Sequence, residues 1–454
     1  MGTSTEQLSA KLVESETGDT PTVTQTQCHS FFQCLIIQLH WILSLALLLL
    51  IDALLKKVFE AASIEFPSAL FGMFCIFVVL VLLDFTVPSI ALAFMNFFDP
   101  GLIFIHRWLP LFYVPYLVVL PLSVKEIPPS AAIKIALIIV GGWLATLCVT
   151  AYTALAVRKA VKTELLDVEP VEKPPPFSSV EIWAWTGVFL ISFVASLFFP
   201  TALGTRARTC LPFLLASTVL GYIVGSKLPS YVKNIVHPIL FCTVSAILTA
   251  FVFGYISKTG LDPVLGYYIT KSSSNPGAGD ILLGFLGSVV LSFAFSMFTQ
   301  RKLMRRHAAE IFTSVIVSSI FSLYSTALVG RLVALEPSLT VSILPRCITV
   351  ALALSIVSLF EGANASITAA IVVLTGLVGA NFVESTLNKL RFRDPIARGI
   401  AAASSAHGLG TAALSAKEPE ALPFCAIAYA LNGIFGTVLC SIPAVRESLL
   451  AIIG

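Results

Sequence analysis

The chain has 454 residues, of which 57% are hydrophobic and only 12% are charged. A soluble domain has about 25% charged residues, so this composition excludes a water-soluble globular protein and indicates a membrane protein that crosses the bilayer many times. The net charge of +3 is too small to suggest a nucleic-acid partner. The nine cysteines are scattered and form no C-x-x-C pair, so we expect no disulfide framework, no metal and no cofactor.

Residues 1–34 are predicted to be a disordered N-terminal segment, because they are rich in Thr, Ser and Glu. Hydrophobic runs then begin, each close to the ~20 residues that a helix needs to cross a bilayer. The first block of the chain contains the runs 35–55, 66–88, 101–122 and 132–157. The third run contains Pro110, Pro115 and Pro121, so we expect it to be kinked or broken.

A charged segment at 158–180, with three consecutive prolines, follows the first block. Its composition predicts a solvated linker and a domain boundary. The second block, 181–454, contains further hydrophobic runs at 181–199, 209–226, 236–258, 280–299, 308–334, 340–360, 364–386, 396–416 and 421–441. We therefore predict an all-α polytopic membrane protein with about twelve or thirteen transmembrane helices.

Basic residues cluster at three places, namely 158–162, 301–306 and 389–393. Basic clusters mark the cytosol-like side of a membrane. The first two fall on one side by the count of runs, but the third falls on the opposite side unless one preceding run is re-entrant. The orientation therefore stays open.

The segment 399–415, GIAAASSAHGLGTAALS, consists almost entirely of small residues. It lacks the broad apolar surface that a lipid-facing helix needs, so it should lie inside the protein. We expect Gly408 and Gly410 to break its helix, and irregular backbone at membrane depth is tolerated only where protein packs around it or where it lines a water-filled cavity. This combination is typical of a transport site.

The pattern L-G-[ST]-x-x-L-S occurs at Leu286–Ser292 and again at Leu409–Ser415. Paired, glycine-interrupted segments in two halves of a transporter indicate inverted repeats with discontinuous, crossing helices. Gly287 is then a further helix-break glycine, and Ser288 and Thr411 should approach each other near the membrane midplane. A short match of common membrane residues can also arise by chance.

Arg346 follows Pro345 and precedes a long apolar run. A charge at the centre of a membrane helix costs ~2.5–3.5 kcal/mol, which suggests that this arginine has a function. Its guanidinium, the helix amides and Thr349 would together suit the carboxylate of a substrate. The alternative is an arginine at the membrane interface that reaches the lipid headgroups.

Five further residues complete the predicted site. His407 titrates near neutral pH and suits proton coupling, although a buried histidine bonded to the backbone explains it equally well. Glu361 is a second candidate proton carrier, and its alternative is an interfacial loop carboxylate. Asn364, Ser404 and Ser405 would supply hydrogen-bond partners for a hydroxy acid.

The segments LEPSLTVSILPRCITVALA and DPIARGIAAASSAHGLGTAAL resemble the LrgB/CidB family of membrane proteins, and EFPSALFGMFCIFVVL with WLPLFYVP resembles its LrgA/CidA partner. Both in one chain, as an LrgA-like domain at 35–157 and an LrgB-like transport domain at 181–454, resemble the plant plastid glycolate/glycerate carriers. The resemblance implies a multi-pass antiporter in the lipid bilayer of the chloroplast inner envelope. Its substrates would be glycolate, exported in photorespiration, and D-glycerate, imported. Proton coupling and assembly into a homo-oligomer stay open.

The sequence also suggests a pore, a carrier of another substrate and an intramembrane hydrolase as alternative functions. Bacterial relatives of these families are described as holin-like or as pyruvate carriers, so the alternative function is a holin-like pore or a carrier of pyruvate or another monocarboxylate. An intramembrane hydrolase built from Ser404 or Ser405 with His407 is disfavoured, because close neighbours in one segment rarely place a base on a nucleophile and no G-x-S-x-G motif occurs. We therefore predict a transporter and not an enzyme.

Overall fold

The computed structural model describes residues 23–64, 66–125, 127–163, 177–229, 238–415 and 418–454. All regular structure within these ranges is helical. Ten helical segments of this described part are long and apolar enough to cross a membrane. The protein is therefore an all-α polytopic membrane protein, as predicted, and the larger number of spans stays a prediction.

The prolines of the third hydrophobic run divide it into short helices, which confirms the predicted break. Each of the three prolines is the second residue of a short helical piece, where its missing N–H leaves no hydrogen bond unmade. The helix that enters this run begins at Pro88, ahead of the predicted start at residue 101. The helices up to this point and beyond are α1 (Val23–Ala61), α2 (Ser68–Thr86), α3 (Pro88–Trp108), a 3-10 turn (Leu109–Tyr113), α4 (Val114–Val118), α5 (Leu120–Ser123), α6 (Pro129–Val161), α7 (Ser179–Phe198), α8 (Arg206–Lys227), α9 (Pro238–Ile256) and α10 (Leu261–Tyr268).

The run predicted as one helix at 340–360 is two short helices, so that prediction is wrong. Thr349, with φ −58° and ψ 143°, is extended and starts a new helix after the loop 344–349. Pro345, inside this loop, has no N–H to continue the first helix. The remaining helices are α11 (Ala278–Leu283), α12 (Leu286–Thr299), α13 (Arg301–Arg306), α14 (Ala308–Leu332), α15 (Pro337–Ile343), α16 (Val350–Val357), α17 (Ala365–Lys389), α18 (Pro395–Ser415), α19 (Leu422–Ser441) and α20 (Pro443–Ile453).

Two predicted irregular segments are shorter than expected. Helix α1 already begins at Val23, inside the segment 1–34 predicted to be disordered, and residues 1–22 lie outside the described residues. The predicted linker 158–180 begins within α6, because Arg158 belongs to its last turn. Ion pairs to Asp394 and Glu310 hold this arginine in place, and a local sequence window cannot show such distant partners. Residues 164–176 lie outside the described residues.

Helix α6 connects the two blocks that the sequence separates. It packs against α14, α17 and α18 of the second block, whereas α2 of the first block packs against α12. Thr150 on α6 donates a hydrogen bond of 2.9 Å to Ser318 on α14. Near the start of α6, Lys134 donates to the carbonyl of Ala334 at 2.7 Å. The last helix of the predicted first block is therefore a structural part of the second.

Candidate functional site

Arg346 lies in the loop between α15 and α16 and is only 1% exposed. Its Nε donates to the hydroxyl of Thr326 at 3.0 Å, and one terminal nitrogen donates to the hydroxyl of Thr146 at 3.2 Å. The other terminal nitrogen lies 2.9 Å from Cys347 Sγ. Among the described residues, no carboxylate oxygen lies within 4.0 Å of this guanidinium. A buried cation that is bonded only to neutral groups has no counter-charge, so it can form an ion pair with a bound anion.

Gly142 on α6 forms the wall against which this guanidinium lies. A Cβ atom at Gly142 would be 2.6 Å from the guanidinium carbon of Arg346, so any side chain there would require the guanidinium to move. Thr146, one turn further along α6, donates to the carbonyl of Gly142 at 2.7 Å. Helix α6 of the predicted first block therefore shapes the arginine site directly.

Helix α18 is interrupted at Ala406 and His407, where φ and ψ are −136° and 18°, then 43° and −142°. The predicted breaks at Gly408 and Gly410 are wrong in position, because both glycines have helical backbone. A non-glycine residue in such a region costs of order 1–3 kcal/mol, so the surrounding structure must hold it. The ring supplies one tether, since His407 Nε2 lies 2.8 Å from the carbonyl of Val372.

Asn432 on α19 joins the two interrupted helices. Its amide nitrogen donates to the carbonyl of Cys347 at 3.0 Å and to that of Ser404 at 3.4 Å. Its amide oxygen accepts from the hydroxyl of Ser319 at 2.9 Å. Cys347 belongs to the arginine loop and Ser404 lies just before the break in α18. One side chain therefore ties the loop between α15 and α16 to the break in α18.

Tyr429, one turn before Asn432 on the same helix, makes a second connection between these elements. Its hydroxyl lies 3.2 Å from the hydroxyl of Thr349, the residue just before α16. Its ring lies beside Gly408, where a Cβ would be 3.2 Å from the nearest ring carbon. Thr349 is thus brought close to the break in α18, as the predicted site requires.

Two buried polar groups near these elements have no hydrogen-bond partner among the described residues. They are the hydroxyl of Ser404 and the indole nitrogen of Trp143. A Cβ at Gly379 would be 3.2 Å from that nitrogen and 2.0 Å from Cβ of Ala406, so the indole lies close to the break in α18. Unsatisfied buried groups are rare in folded proteins, and here they offer a donor and a hydroxyl to a ligand.

Several predicted site residues are engaged elsewhere. Asn364 caps α17 by accepting the amides of Ser366 and Ile367, and Glu361 is exposed. The hydroxyl of Ser405 donates to the carbonyl of Ala401 at 2.7 Å, within its own helix. None of the hydrogen bonds described for Asn364 and Ser405 is to Arg346. Thr411 is half-buried on α18, beyond the break.

The first copy of the repeated pattern lies in a different environment. Ser288 is fully buried on α12, and Gly287 packs against α1, since a Cβ there would be 1.9 Å from a carboxylate oxygen of Asp52. Gly287 also has helical backbone, so its prediction as a helix-break glycine is wrong. The interrupted segment tied to α18 is the α15–α16 pair, not α12. The inverted-repeat relation itself stays a prediction.

Sequence reasoning missed the residues that contact Arg346 and those that lie at the break in α18 or connect it to the arginine loop. A hydroxyl or amide inside an apolar run was the available signal, but many such residues occur, and only the fold selects among them. The missed residues are Gly142, Trp143, Thr146, Thr326, Cys347, Tyr429 and Asn432.

Comparison with known proteins gives matches over most of the chain. The sequence model of the LrgB-like family matches residues 218–445. Plastidal glycolate/glycerate translocator 1, chloroplastic, of Arabidopsis thaliana is 71% identical over 415 residues, which cover 91% of this chain and 81% of that protein.

Some bacterial relatives match only part of the chain. The uncharacterized protein YwbG of Bacillus subtilis is 32% identical over 143 residues, covering 32% of this chain and 63% of its own. Holin-like protein CidB of Staphylococcus epidermidis is 24% identical over 227 residues, covering 50% of this chain and 92% of its own. No solved structure matches the chain.

Proposed function

The chain belongs to the LrgB-like family, and from this premise we propose that it is a secondary transporter that exchanges glycolate for glycerate across a plastid membrane. The plant relative with 71% identity is named a plastidal glycolate/glycerate translocator. The bacterial relatives named holin-like are only 24% identical and match half of the chain. The closer relative therefore favours the carrier over the pore.

The observation that supports this proposal most strongly is the bonding of Arg346. A guanidinium has five N–H donors, and the hydroxyls of Thr146 and Thr326 and the sulfur of Cys347 receive three of them. One N–H then remains on each terminal nitrogen. Two donors on neighbouring nitrogens suit the two oxygens of a carboxylate.

The groups around Arg346 also suit a substrate that has a hydroxyl beside its carboxylate. The hydroxyl of Ser404 and the indole N–H of Trp143 are buried and have no hydrogen-bond partner among the described residues. A site built to bond a substrate hydroxyl rejects the analogue that lacks it, because its own polar groups are then left unpaired. We therefore expect glycolate and glycerate to be preferred over pyruvate.

The test is counterflow in proteoliposomes that contain the full-length chain. Vesicles are loaded with unlabelled D-glycerate, and uptake of labelled glycolate is followed. A carrier gives saturable uptake that internal D-glycerate accelerates, and external pyruvate competes weakly.

Two results would contradict parts of this proposal. A pore gives uptake that does not saturate, that internal substrate does not accelerate, and that is matched by an uncharged solute of similar size such as glycerol. Pyruvate that competes as well as D-glycerate would leave a carrier but remove the role of Ser404 and Trp143 in recognising the hydroxyl.

We place the protein in the inner of the two envelope membranes, where glycolate would leave the plastid and D-glycerate would enter. The many apolar helices support a multi-pass membrane location, and the relative's name supports the plastid. Immunoblotting of separated outer and inner envelope fractions tests this. Enrichment with an outer-membrane marker would contradict it.

A further inference from the structure

Four ionisable side chains meet where α6 ends, α14 begins and α18 begins. Nε of Arg158 bonds to Asp394, and a terminal nitrogen of Arg158 lies 3.8 Å from a carboxylate oxygen of Glu310. The same oxygen lies 3.4 Å from Nδ1 of His307. Glu310 and His307 are 0% exposed. This charge cluster, Arg158, His307, Glu310 and Asp394, lies apart from the residues that bond Arg346.

The cluster is not fully hydrogen-bonded. The hydroxyl of Thr163 lies 3.3 Å from His307 Nδ1 and also donates to Glu310. The second carboxylate oxygen of Glu310 and Nε2 of His307 have no hydrogen-bond partner among the described residues. Either atom can therefore bind a proton without breaking an existing hydrogen bond.

The neighbouring charged side chains are bonded elsewhere or exposed, so they do not neutralise the charge cluster. On α18, Arg398 bonds to Glu418 and to the carbonyl of Phe392. Helix α19 packs the uncharged ring of Phe424 on His307, with ring centres 5.3 Å apart. Other basic residues near these helix ends are exposed to solvent: Lys159, Lys162, Arg305, Arg306, Arg391 and Arg393.

The charge count of the cluster leaves room for one proton. Two carboxylates, Glu310 and Asp394, share one guanidinium, so the cluster has a net charge of −1 when His307 is neutral. A buried charge without a partner destabilises the folded protein. One proton on either His307 or Glu310 brings the cluster to neutrality.

We infer that His307 and Glu310 form a proton-binding site that takes up one proton when the substrate anion binds. This inference rests on the transport function proposed above. The hydroxy acid is ionised in solution, so the proton comes from water and adds to the imidazole nitrogen or the carboxylate oxygen. One O–H bond of hydronium breaks and leaves water, one N–H or O–H bond forms on the protein, and no other bond changes.

Arg158 supplies the link from this proton to the substrate site. Asp394, which shares Arg158 with Glu310, accepts the amide of Ala397 at 3.0 Å and so caps the start of α18. When Glu310 is neutral, Arg158 pairs with Asp394 alone. The proton therefore sets how firmly the start of α18 is held to α6. Because α18 also contains Ser404, this change reaches the substrate site.

The experiment measures proton movement in proteoliposomes that contain the full chain and a trapped pH-sensitive dye. An inward gradient of glycolate is applied, and labelled glycolate uptake and internal acidification are recorded together. The wild-type chain should acidify the interior as glycolate enters.

Glu310→Gln should lose this acidification and retain glycolate–glycerate exchange, because exchange of one anion for another needs no change in protonation. The matched control is Glu447→Gln, at an exposed carboxylate on α20, which should acidify the interior like the wild type.

The outcomes separate this inference from the proposed function. Wild-type counterflow without acidification overturns the proton site and leaves the carrier, whereas absence of counterflow overturns the carrier itself. Acidification by Glu310→Gln at the wild-type rate, or its loss in His407→Gln instead, also overturns the site.

A second variant serves if Glu310→Gln does not fold, as judged by size-exclusion chromatography. In His307→Gln only the carboxylate of Glu310 can take up the proton. A carboxylate is a weaker base than an imidazole, so the pH of half-maximal acidification should move to lower values. An unchanged pH of half-maximal acidification overturns the inference.

Discussion

At Arg346 a full positive charge is buried among two hydroxyls and a thiol, and this single residue decides the proposed anion site. Arg346→Lys keeps the charge but replaces three donor nitrogens in one plane by a single nitrogen, which cannot occupy the separate positions from which Nε and the terminal nitrogens donate to Thr326, Thr146 and a carboxylate. A hydrogen bond to a charged group contributes ~1.5–3 kcal/mol. We therefore expect the half-saturation concentration for glycolate to rise about tenfold or more, measured from initial counterflow rates.

The control for this substitution is Arg331→Lys. Arg331 is exposed at the end of α14 and donates to the carbonyls of Ala451 and Ile452. This variant should transport with wild-type affinity. An Arg346→Lys chain with unaltered half-saturation would show that Arg346 has no role in binding the anion.

His407 combines an unfavourable backbone conformation with one hydrogen bond to Val372. His407→Ala and His407→Gly both lose that bond, but glycine adopts the observed φ and ψ without steric cost. The glycine variant should therefore be more stable than the alanine variant by ~1–3 kcal/mol. Thermal unfolding of the two purified variants in detergent measures this, and equal stability would mean that the backbone at 407 is unstrained.

At the scale of the helix, α6 offers two adjacent glycines with opposite surroundings. A Cβ at Gly142 would be 2.6 Å from the guanidinium carbon of Arg346, whereas a Cβ at Gly141 would meet nothing within 4 Å. Alanine favours a helix over glycine by ~1 kcal/mol, so both substitutions suit the helix itself. Gly142→Ala should displace Arg346 and strongly reduce counterflow, while Gly141→Ala should transport normally.

Membrane insertion is the control for this pair, because both variants should reach the membrane in wild-type amounts. Equal transport by the two variants would show that α6 does not form part of the substrate site. It would also restore the two-block division that the sequence predicts.

Most helices could be predicted from the sequence, because a bilayer demands long apolar runs and the chain shows them clearly. The runs 66–88 and 364–386 agree closely with helices Ser68–Thr86 and Ala365–Lys389. The run 340–360 misled the prediction, since its apolar composition is continuous while its backbone is not. Hydrophobicity measures the surroundings of a segment and says little about where its helix stops.

The site was partly predictable for the same kind of reason. A charged residue in an apolar run is conspicuous, so Arg346 and its neighbour Thr349 could be chosen from sequence. The break in α18 was located only approximately, because the sequence pointed to Gly408 and the structure bends one residue earlier, at His407. Thr146 and Asn432 were not predicted, because tertiary packing brings them to the site and a single sequence does not show which distant residues come into contact.

At the scale of the whole molecule, the ion pairs of Arg158 show how the three basic clusters lie relative to one another. Because Arg158 contacts both Glu310 and Asp394, the basic clusters at 158–162, 301–306 and 389–393 lie at one end. The interrupted pair α15–α16 does not count as a full crossing, which is why the third cluster is not on the opposite side. The positive-inside rule predicts that this end is the cytosol-like side of the membrane.

Labelling of single cysteines checks this arrangement, in a chain whose nine natural cysteines are replaced by alanine. A membrane-impermeant maleimide should react with Lys302→Cys and Lys389→Cys from the same side of sealed vesicles. Glu361→Cys, at the other end of α17, should react from the opposite side. Labelling of positions 302 and 389 from different sides would mean that α15–α16 crosses the whole membrane.

The buried charges described above also determine how the protein should respond to voltage. Without substrate, Arg346 has an excess positive charge and the cluster around Glu310 an excess negative one. Binding of a hydroxy-acid anion at the first and a proton at the second cancels both. The loaded protein then reorients without moving net charge, although one uncompensated charge crossing 100 mV would change the energy by ~2.3 kcal/mol. Exchange should therefore be electroneutral, and a potassium diffusion potential across the vesicle membrane should leave its rate unchanged.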